Sequence, residues 1–416
     1  MAREPVEVTV ETDRQEITAG TLWIHDRSGQ SATFRYTDEY LTNPYSYDLD
    51  PALPKSSGVF QTPAGKPMFN AFADSAPDRW GQNLMRRGER ERAEAAHAIS
   101  RTLHESDFLL GARDDARQGA IRFRMPGTRT YYAAHRKPVP RLLAMPRLLH
   151  AADRLNTEGS AGPDIDDLID AGSSLGGARP KAAVIDSSGR LAIAKFPRSG
   201  SDGWDMGGWE KLELNLARRA GLHVAESELV LVDGRHVHIV SRFDREDGKR
   251  IGFASALTML EASDREQHSY LEIADVIERH SDRPEADLHE LYRRIVFSIL
   301  TGNTDDHLRN HGFLRCRRGW TLSPGYDLNP NPDSPGRLQT AIDLDNSDAS
   351  IETTLSVAGY FRLSARAASS VISGIEEATR YWQREAAELG LAGQEIDRMA
   401  IAFDSDQRGV ARTLRA

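Results

Sequence analysis

A chain of 416 residues has room for two to three domains and a substantial core. Hydrophobic residues at 39% and charged residues at 28% are ordinary for a globular protein, and a net charge of −9 argues against gripping nucleic acid directly, because phosphate binding runs on Lys and Arg. The one cysteine, Cys316, excludes a disulfide framework and a cysteine-based zinc site; with no bilayer-length apolar run and no apolar leader after Met1, a cytoplasmic protein is expected.

The first part of the chain predicts strands. Val6, Val8 and Val10, then Leu22 and Ile24, then Phe34 and Tyr36 alternate with polar residues at the period of a half-buried strand. Turn-forming residues separate them at Asp26–Gly29, Asn43-Pro44 and Pro51–Gly58. A helix is expected over Trp80–Ala98, and Asp107–Arg124 reads as a helix end, a turn at Gly119 and a strand. A polar helical region, His135–Ala171, breaks at Gly159–Pro163 and leads to strands at Ala182–Ile185 and Leu191–Phe196. An amphipathic helix over Glu210–Ala220 carries Leu212, Leu216 and Ala220 on one face. Strands Glu228–Val232 and His236–Ser241 flank the turn Asp233-Gly234. Beyond Phe253 the pattern is helical, at Tyr270–His280, Asp287–Thr301 and Ala365–Leu389. The expected class is α+β: a two-lobed, kinase-like fold with a β-rich first half, a helical second half and a cleft at their junction. The domains divide at 1–127, 128–243 and 244–416.

Four features carry chemistry. The small-residue run Ser173-Ser174-Leu175-Gly176-Gly177-Ala178-Arg179-Pro180-Lys181 leads into a strand; its two glycines permit close backbone approach to phosphates, and Lys181 adds charge. It is neither a Walker A sequence nor G-x-G-x-x-G. In the strand L-A-I-A-K-F-P, alternation puts Lys195 on the face of Leu191 and Ile193, which suits a lysine that contacts a nucleotide and pairs with a helix carboxylate, Glu210 first and Glu213 second. The segment V-S-R-F-D-R offers Arg242 and Phe243 as backbone neighbours of a nucleotide base, or reads as an edge strand with a solvated Arg–Asp pair. Finally, G-N-T-D-D-H-L-R-N at Gly302–Asn310 and S-P-G-Y-D-L-N at Ser323–Asn329 supply an acid, an amide and a second acid. Phosphoryl transfer needs that set: Asp305 to take the proton of an attacking hydroxyl, Asn310 and Asp327 to hold Mg²⁺ on the phosphates. His307 is expected to make a structural hydrogen bond rather than to ligate metal, and Asp306 to be solvated or a spare acid.

Together, N-T-D-D-H-L-R-N-H-G-F, the Y-D-L after L-S-P-G and the loop S-L-G-G-A-R-P-K resemble the HipA family of serine/threonine toxin kinases. The resemblance extends to R-F-D-R, to S-Y-L-E-I-A-D at Ser269–Asp275, to A-P-D-R-W-G at Ala76–Gly81 and to D-D-A-R-Q-G-A-I-R-F, and so spans nearly the whole chain. It implies a kinase-like fold that binds ATP and Mg²⁺ between its lobes, with Asp305 as base, Asn310 and Asp327 as metal ligands and Lys195 on ATP. It also implies that Ser174, with Ser173 beside it, is autophosphorylated. A phosphate there would add about −1.5 to −2 charge within a phosphate-binding loop and expel it, switching the enzyme off. A helix-turn-helix antitoxin of the HipB type is implied as partner, with nucleic acid met only through it and aminoacyl-tRNA synthetases among the substrates. Arg179-Pro180 departs from the usual Gln-Glu, and Pro180 removes a backbone donor from the loop. Two alternatives stand beside this reading: a small-molecule kinase, and a catalytically weak kinase fold that acts by binding a transcriptional regulator.

Overall fold

The computed structural model describes residues 4–12, 15–25, 30–134, 138–157, 168, 171–172, 179–198, 200, 202–264, 266–344 and 346–414. The chain forms two compact units, the first holding Met1–Ser201, Leu231–Arg235 and Ile239–Ala254, the second Asp202–Val230, His236–His238 and Ser255–Ala416. No helix among the described residues is long and apolar enough to cross a membrane.

In the first unit, β1 (Val6–Glu11), β2 (Glu16–His25), β3 (Ser31–Tyr36), β4 (Phe60–Gln61) and β5 (Ile121–Arg124) form one sheet in the order β4-β3-β2-β1-β5. The alternation of the sequence is the alternation of the sheet: Val6, Val8, Val10, Leu22 and Phe34 are all fully buried on its inner side. α1 (Asp38–Thr42) packs on β2, and Phe72 of α2 (Asn70–Ala73) meets Phe34 and Phe123 of the sheet edge to face; α3 (Arg79–Ala95), α4 (Glu105–Gly111) and α5 (Met145–Thr157) follow. β6 (Lys181–Ile185) and β7 (Leu191–Lys195) then pair antiparallel, Lys181 opposite Lys195 and Ala183 opposite Ile193.

α6 (Met206–Arg219) belongs to the second unit, while β8 (Ser227–Val232) and β9 (Arg235–Ser241) carry residues of both. Their turn, Asp233-Gly234, has φ of 48° and 75°, the left-handed pair that a tight hairpin requires. A small ribbon, β10 (Arg245–Glu246) with β11 (Lys249–Arg250), precedes β12 (Phe253–Ser255).

The second unit is helical. α7 (Ala256–Met259) and α8 (Tyr270–His280) precede α9 (Pro284–Thr301), whose side chains are nearly all buried from Asp287 onward. β13 (Gly312–Arg315) and β14 (Trp320–Leu322) make a hairpin, followed by α10 (Ile351–Ser356), α11 (Ala365–Thr379), α12 (Trp382–Glu388), α13 (Gly393–Phe403) and α14 (Asp406–Thr413). α9 is the spine, touching α8, α10, α11, α13 and α14. The single helix expected over Ala365–Leu389 is two, broken where Arg380 and Tyr381 separate α11 from α12; Trp382 then turns inward to stack on Phe403 with ring centroids 4.3 Å apart.

Candidate functional site

α9 delivers the acidic loop. Pro284 opens the helix where a missing N–H is harmless, and Gly302 closes it in the left-handed conformation with φ of 69°. Only glycine suits this cap: besides the angle, a Cβ would sit 2.6 Å from that of Ala402 and 2.9 Å from the Ala402 carbonyl oxygen. The loop beyond is pinned by Thr304 N–H on Gly302 O (3.0 Å) and by Gln339 N–H on Thr304 O (3.0 Å).

The two consecutive acids part company. Asp306 turns inward and is 2% exposed, accepting from the Tyr270 hydroxyl at 2.6 Å and facing His311 Nε2 at 3.0 Å, while the Thr340 hydroxyl donates to its carbonyl at 2.6 Å. Burial alone would raise this carboxyl; His311 and the two hydrogen bonds outweigh burial and hold it below the usual range. Asp306 is therefore neither solvated nor a spare acid, as the sequence suggested. It is the anchor of the loop.

Asp305 is exposed. Its carboxyl is raised above the ordinary value, first by partial burial and then by the negative charges of Asp327 and Asp306, with His307 opposing. A carboxylate so placed is a better proton acceptor than an ordinary surface Asp. His307 does not make the expected hydrogen bond through Nδ1, which is buried without a partner; its backbone carbonyl instead accepts from Asn310 N–H at 2.8 Å.

Asn310 ends a short 3-10 turn, Leu308–Asn310, and its side-chain N–H donates to Asp305 O at 3.3 Å. That bond commits the amide nitrogen and leaves Oδ1 as the acceptor for a cation. Asp327 is one of the few non-glycine residues with positive φ, 58°, a conformation Asp tolerates better than most residues. Its stretch is stitched to the acidic loop: the Tyr326 hydroxyl donates to Arg309 O (2.6 Å) and Asn329 N–H to Asn303 Oδ1 (3.3 Å). Asp305, Asn310 and Asp327 thus gather in the second unit.

Among the described residues, no three His, Cys, Asp or Glu side chains group to hold a metal ion by themselves. One carboxylate and one amide oxygen suit Mg²⁺, which takes few protein ligands and completes its octahedron with phosphates and water. The donor set fits that ion.

The remaining candidates fall elsewhere. Lys181 and Lys195 sit directly opposite each other in the first unit, so the face shared by Lys195, Ile193 and Leu191 also carries Lys181 and Ala183; Leu191 and Ile193 pack on Ala183 and Ala116. Two cationic side chains thus share one cross-strand position. Glu210, 4% exposed in the second unit, lies 3.2 Å from His238 Nδ1, which is itself fully buried. Glu213 is wholly buried, and desolvation holds its carboxyl well above the normal range. Arg242 is committed to its own unit: its guanidinium grips Asp244 and donates to Ala116 O at 3.1 Å, and its N–H donates to Leu191 O at 2.9 Å. The Arg–Asp pair of V-S-R-F-D-R is therefore buried rather than solvated, Asp244 being 1% exposed. Phe243 is half-buried beside it. Ser173, Ser174, Gly176, Gly177 and Ala178 lie outside the described residues.

Sequence reasoning missed Tyr270, His311 and Thr340. Tyr270 is 36 positions from Asp306, and no local periodicity joins them; the one available signal was a polar group on an otherwise apolar helix face.

Residues 173–382 match the model of the HipA-like C-terminal domain. Among solved structures, the Shewanella oneidensis MR-1 toxin–antitoxin complex of HipA, HipB and operator DNA aligns over 98% of this chain and 96% of its own, with a TM-score of 0.69 and 17% identity. That likeness establishes the fold. A Haemophilus influenzae protein named "Putative kinase" is 27% identical over 143 residues, 30% of this chain and 42% of its own length. A Sinorhizobium fredii protein named "Putative kinase Y4mE" is 28% identical over 181 residues, 37% of this chain and 41% of its own. The chain thus spans less than half the length of these curated relatives.

Proposed function

Because this chain belongs to the family of the HipA-like C-terminal domain, we propose that it is an ATP- and Mg²⁺-dependent serine/threonine protein kinase that acts as a growth-inhibiting toxin. The observation that carries the reading is the exposed, raised carboxyl of Asp305 beside Asn310 and Asp327, on a loop whose neighbouring acid is buried as an anchor. In the reaction a serine or threonine hydroxyl of the acceptor attacks the γ-phosphorus of ATP. The new oxygen–phosphorus bond forms as the bridging bond to the β-phosphate breaks, ADP leaves, and the hydroxyl proton passes to the Asp305 carboxylate. Asn310 and Asp327 hold the metal, which when bound neutralises charge on the phosphate oxygens. Lys195 and Lys181 are the proposed residues for the nucleotide phosphates, and Glu210, Gly176, Gly177, Ala178, Arg242 and Phe243 are the further proposed nucleotide-binding residues.

Ser174 is the proposed acceptor of self-phosphorylation, and a helix-turn-helix antitoxin of the HipB type is the proposed partner; an aminoacyl-tRNA synthetase is the proposed target class. The domain limits 1–127, 128–243 and 244–416 go with this reading, as does a cytoplasmic location. The test is incubation of the full chain with labelled ATP and Mg²⁺, alone and with cell lysate, read by mass spectrometry against Asp305→Ala. Phosphate on Ser174 and on a lysate protein, absent from the variant, is the expected result. A wild-type protein that labels nothing overturns the kinase reading. Growth arrest that persists with Asp305→Ala replaces it with a binding protein.

A further inference from the structure

We infer that Trp80, on the helix α3 of the N-terminal region, is a positioning residue for the Lys181–Lys195 pair and so sets the affinity for a nucleotide's phosphates; this rests on the function proposed above. Nothing in the chemistry of phosphoryl transfer calls for a tryptophan some hundred residues upstream of the lysines. Its role comes from geometry inside the first unit.

In the β6–β7 hairpin, Phe196 N–H donates to Pro180 O at 2.8 Å, one residue beyond the two lysines. Hydrogen-bonded positions alternate along an antiparallel pair, so Lys181 and Lys195 occupy a non-hydrogen-bonded position, where side chains stand closest. The backbone groups of Lys181 therefore point away from β7, off the free side of β6. That side is covered at both ends. Near one end Ile185 N–H donates to Pro140 O at 2.8 Å. At the other, the Trp80 indole N–H donates to Lys181 O at 3.0 Å.

The contact is closed in. Trp80 is 5% exposed, Leu84 one turn along α3 is fully buried, and Gly172 fills the remaining space. A Cβ on Gly172 would lie 2.7 Å from Leu84 Cδ1, 3.0 Å from Lys181 O and 3.2 Å from Trp80 Nε1. The segment that leads into α3 is also held, the buried Arg117 donating to Ser75 O at 3.0 Å. The indole, fixed by its helix, holds the backbone of the first residue of β6 and so fixes the point from which the Lys181 side chain starts, opposite Lys195. Losing the donor leaves a buried carbonyl unpaired and releases the strand end.

The test uses the full chain and a non-hydrolysable ATP analogue with Mg²⁺, titrated by calorimetry. Trp80→Phe keeps the ring and removes the donor; Trp23→Phe, in the five-stranded sheet, controls for loss of a tryptophan elsewhere in the unit. Trp80→Phe is expected to weaken binding about five- to tenfold, as loss of one neutral hydrogen bond implies. KM for ATP should rise in proportion, with kcat at saturating ATP near wild type. Hydrogen exchange should quicken at β6 and not at β1–β3, which separates strand release from general unfolding even if Trp80→Phe is unstable. Unchanged affinity in Trp80→Phe, or an equal loss in Trp23→Phe, overturns the inference while leaving the kinase reading intact. A wild-type protein that binds no analogue overturns both.

Discussion

Two charge-rich segments look alike in the sequence, D-D-A-R-Q-G with R-F-D-R in the first unit and N-T-D-D-H-L-R-N in the second, yet they use their charge in opposite ways. In the first, Asp244 is 1% exposed and accepts from Arg245 at 2.8 Å, Gly119 N–H at 2.7 Å and Arg242. Arg245 and Arg250 go on to donate to Arg117 O at 2.6 and 3.0 Å. The Asp244 carboxyl is answered on all sides and, although burial opposes it, is held far below the carboxylate range by the arginines and the Gly119 N–H. In the second, Asp306 is answered in the same manner, but the exposed Asp305 has its proton affinity raised, first by partial burial and then by Asp327 and Asp306. The difference teaches that composition does not mark a reactive acid. What marks it is a charge that the fold holds in place without neutralising.

The sharpest way to break the comparison is to remove one acid from each segment. Asp305→Asn should lower phosphorylation by about 10²–10⁴-fold, the usual contribution of a general base, while the melting temperature stays within about a degree. Asp244→Ala should do the reverse. It strands buried arginines, costs about 3–5 kcal/mol in denaturant titration, and lowers activity only in proportion to the unfolded fraction. If Asp305→Asn also unfolds the protein, or Asp244→Ala leaves its stability untouched, the division between the two segments is wrong.

Gly302→Ala sits between these extremes. It meets both an unfavourable φ and the Ala402 backbone, and should cost about 2–3 kcal/mol, with activity falling alongside because the same turn aims the acidic loop. Asp306→Ala should cost about 1–3 kcal/mol for the orphaned partners Tyr270 and His311. The smallest effect is with pH. Asp244 and Asp306 both have lowered carboxyl affinities in the folded state. Their stabilisation is therefore complete above the unfolded carboxylate value, near pH 4, and is lost as pH falls further. Denaturant midpoints measured from pH 7 down to pH 2.5 should fall below about pH 4, and the wild-type drop should shrink in Asp306→Ala.

Where one face of a short segment decides its environment, the sequence was legible. Tyr270–His280 was read to the residue, and β1, β2, β3, β6 and β7 were found where alternation placed them. The acidic loop was legible because α9 is apolar to its last turn, and a helix end so buried carries the next residues inward with it. Illegible were contacts set by tertiary packing between distant positions. No pattern in Ser269–Asp275 says that Tyr270 will hold Asp306, and none in A-P-D-R-W-G says that Trp80 will meet Lys181. The break between α11 and α12 was missed for a related reason, since both halves are good helix formers and only the burial of Trp382 forces the chain to turn. Arg242 could be read as a surface charge because the carbonyls it meets, those of Ala116 and Leu191, come from residues far away in the chain.

The backbone at Asp327 has a consequence for which variants this protein can tolerate. A φ of 58° admits glycine freely, asparagine and aspartate at small cost, and almost nothing branched at Cβ. The proposed role in holding a divalent cation asks for a carboxylate at this position, to complement the neutral amide oxygen of Asn310, and that favours aspartate and glutamate. Aspartate meets both at the least cost. Asparagine at this position should leave the fold whole and the metal loosely held, glycine should leave the turn relaxed and the site empty-handed, and glutamate should keep the charge while straining the chain that presents it.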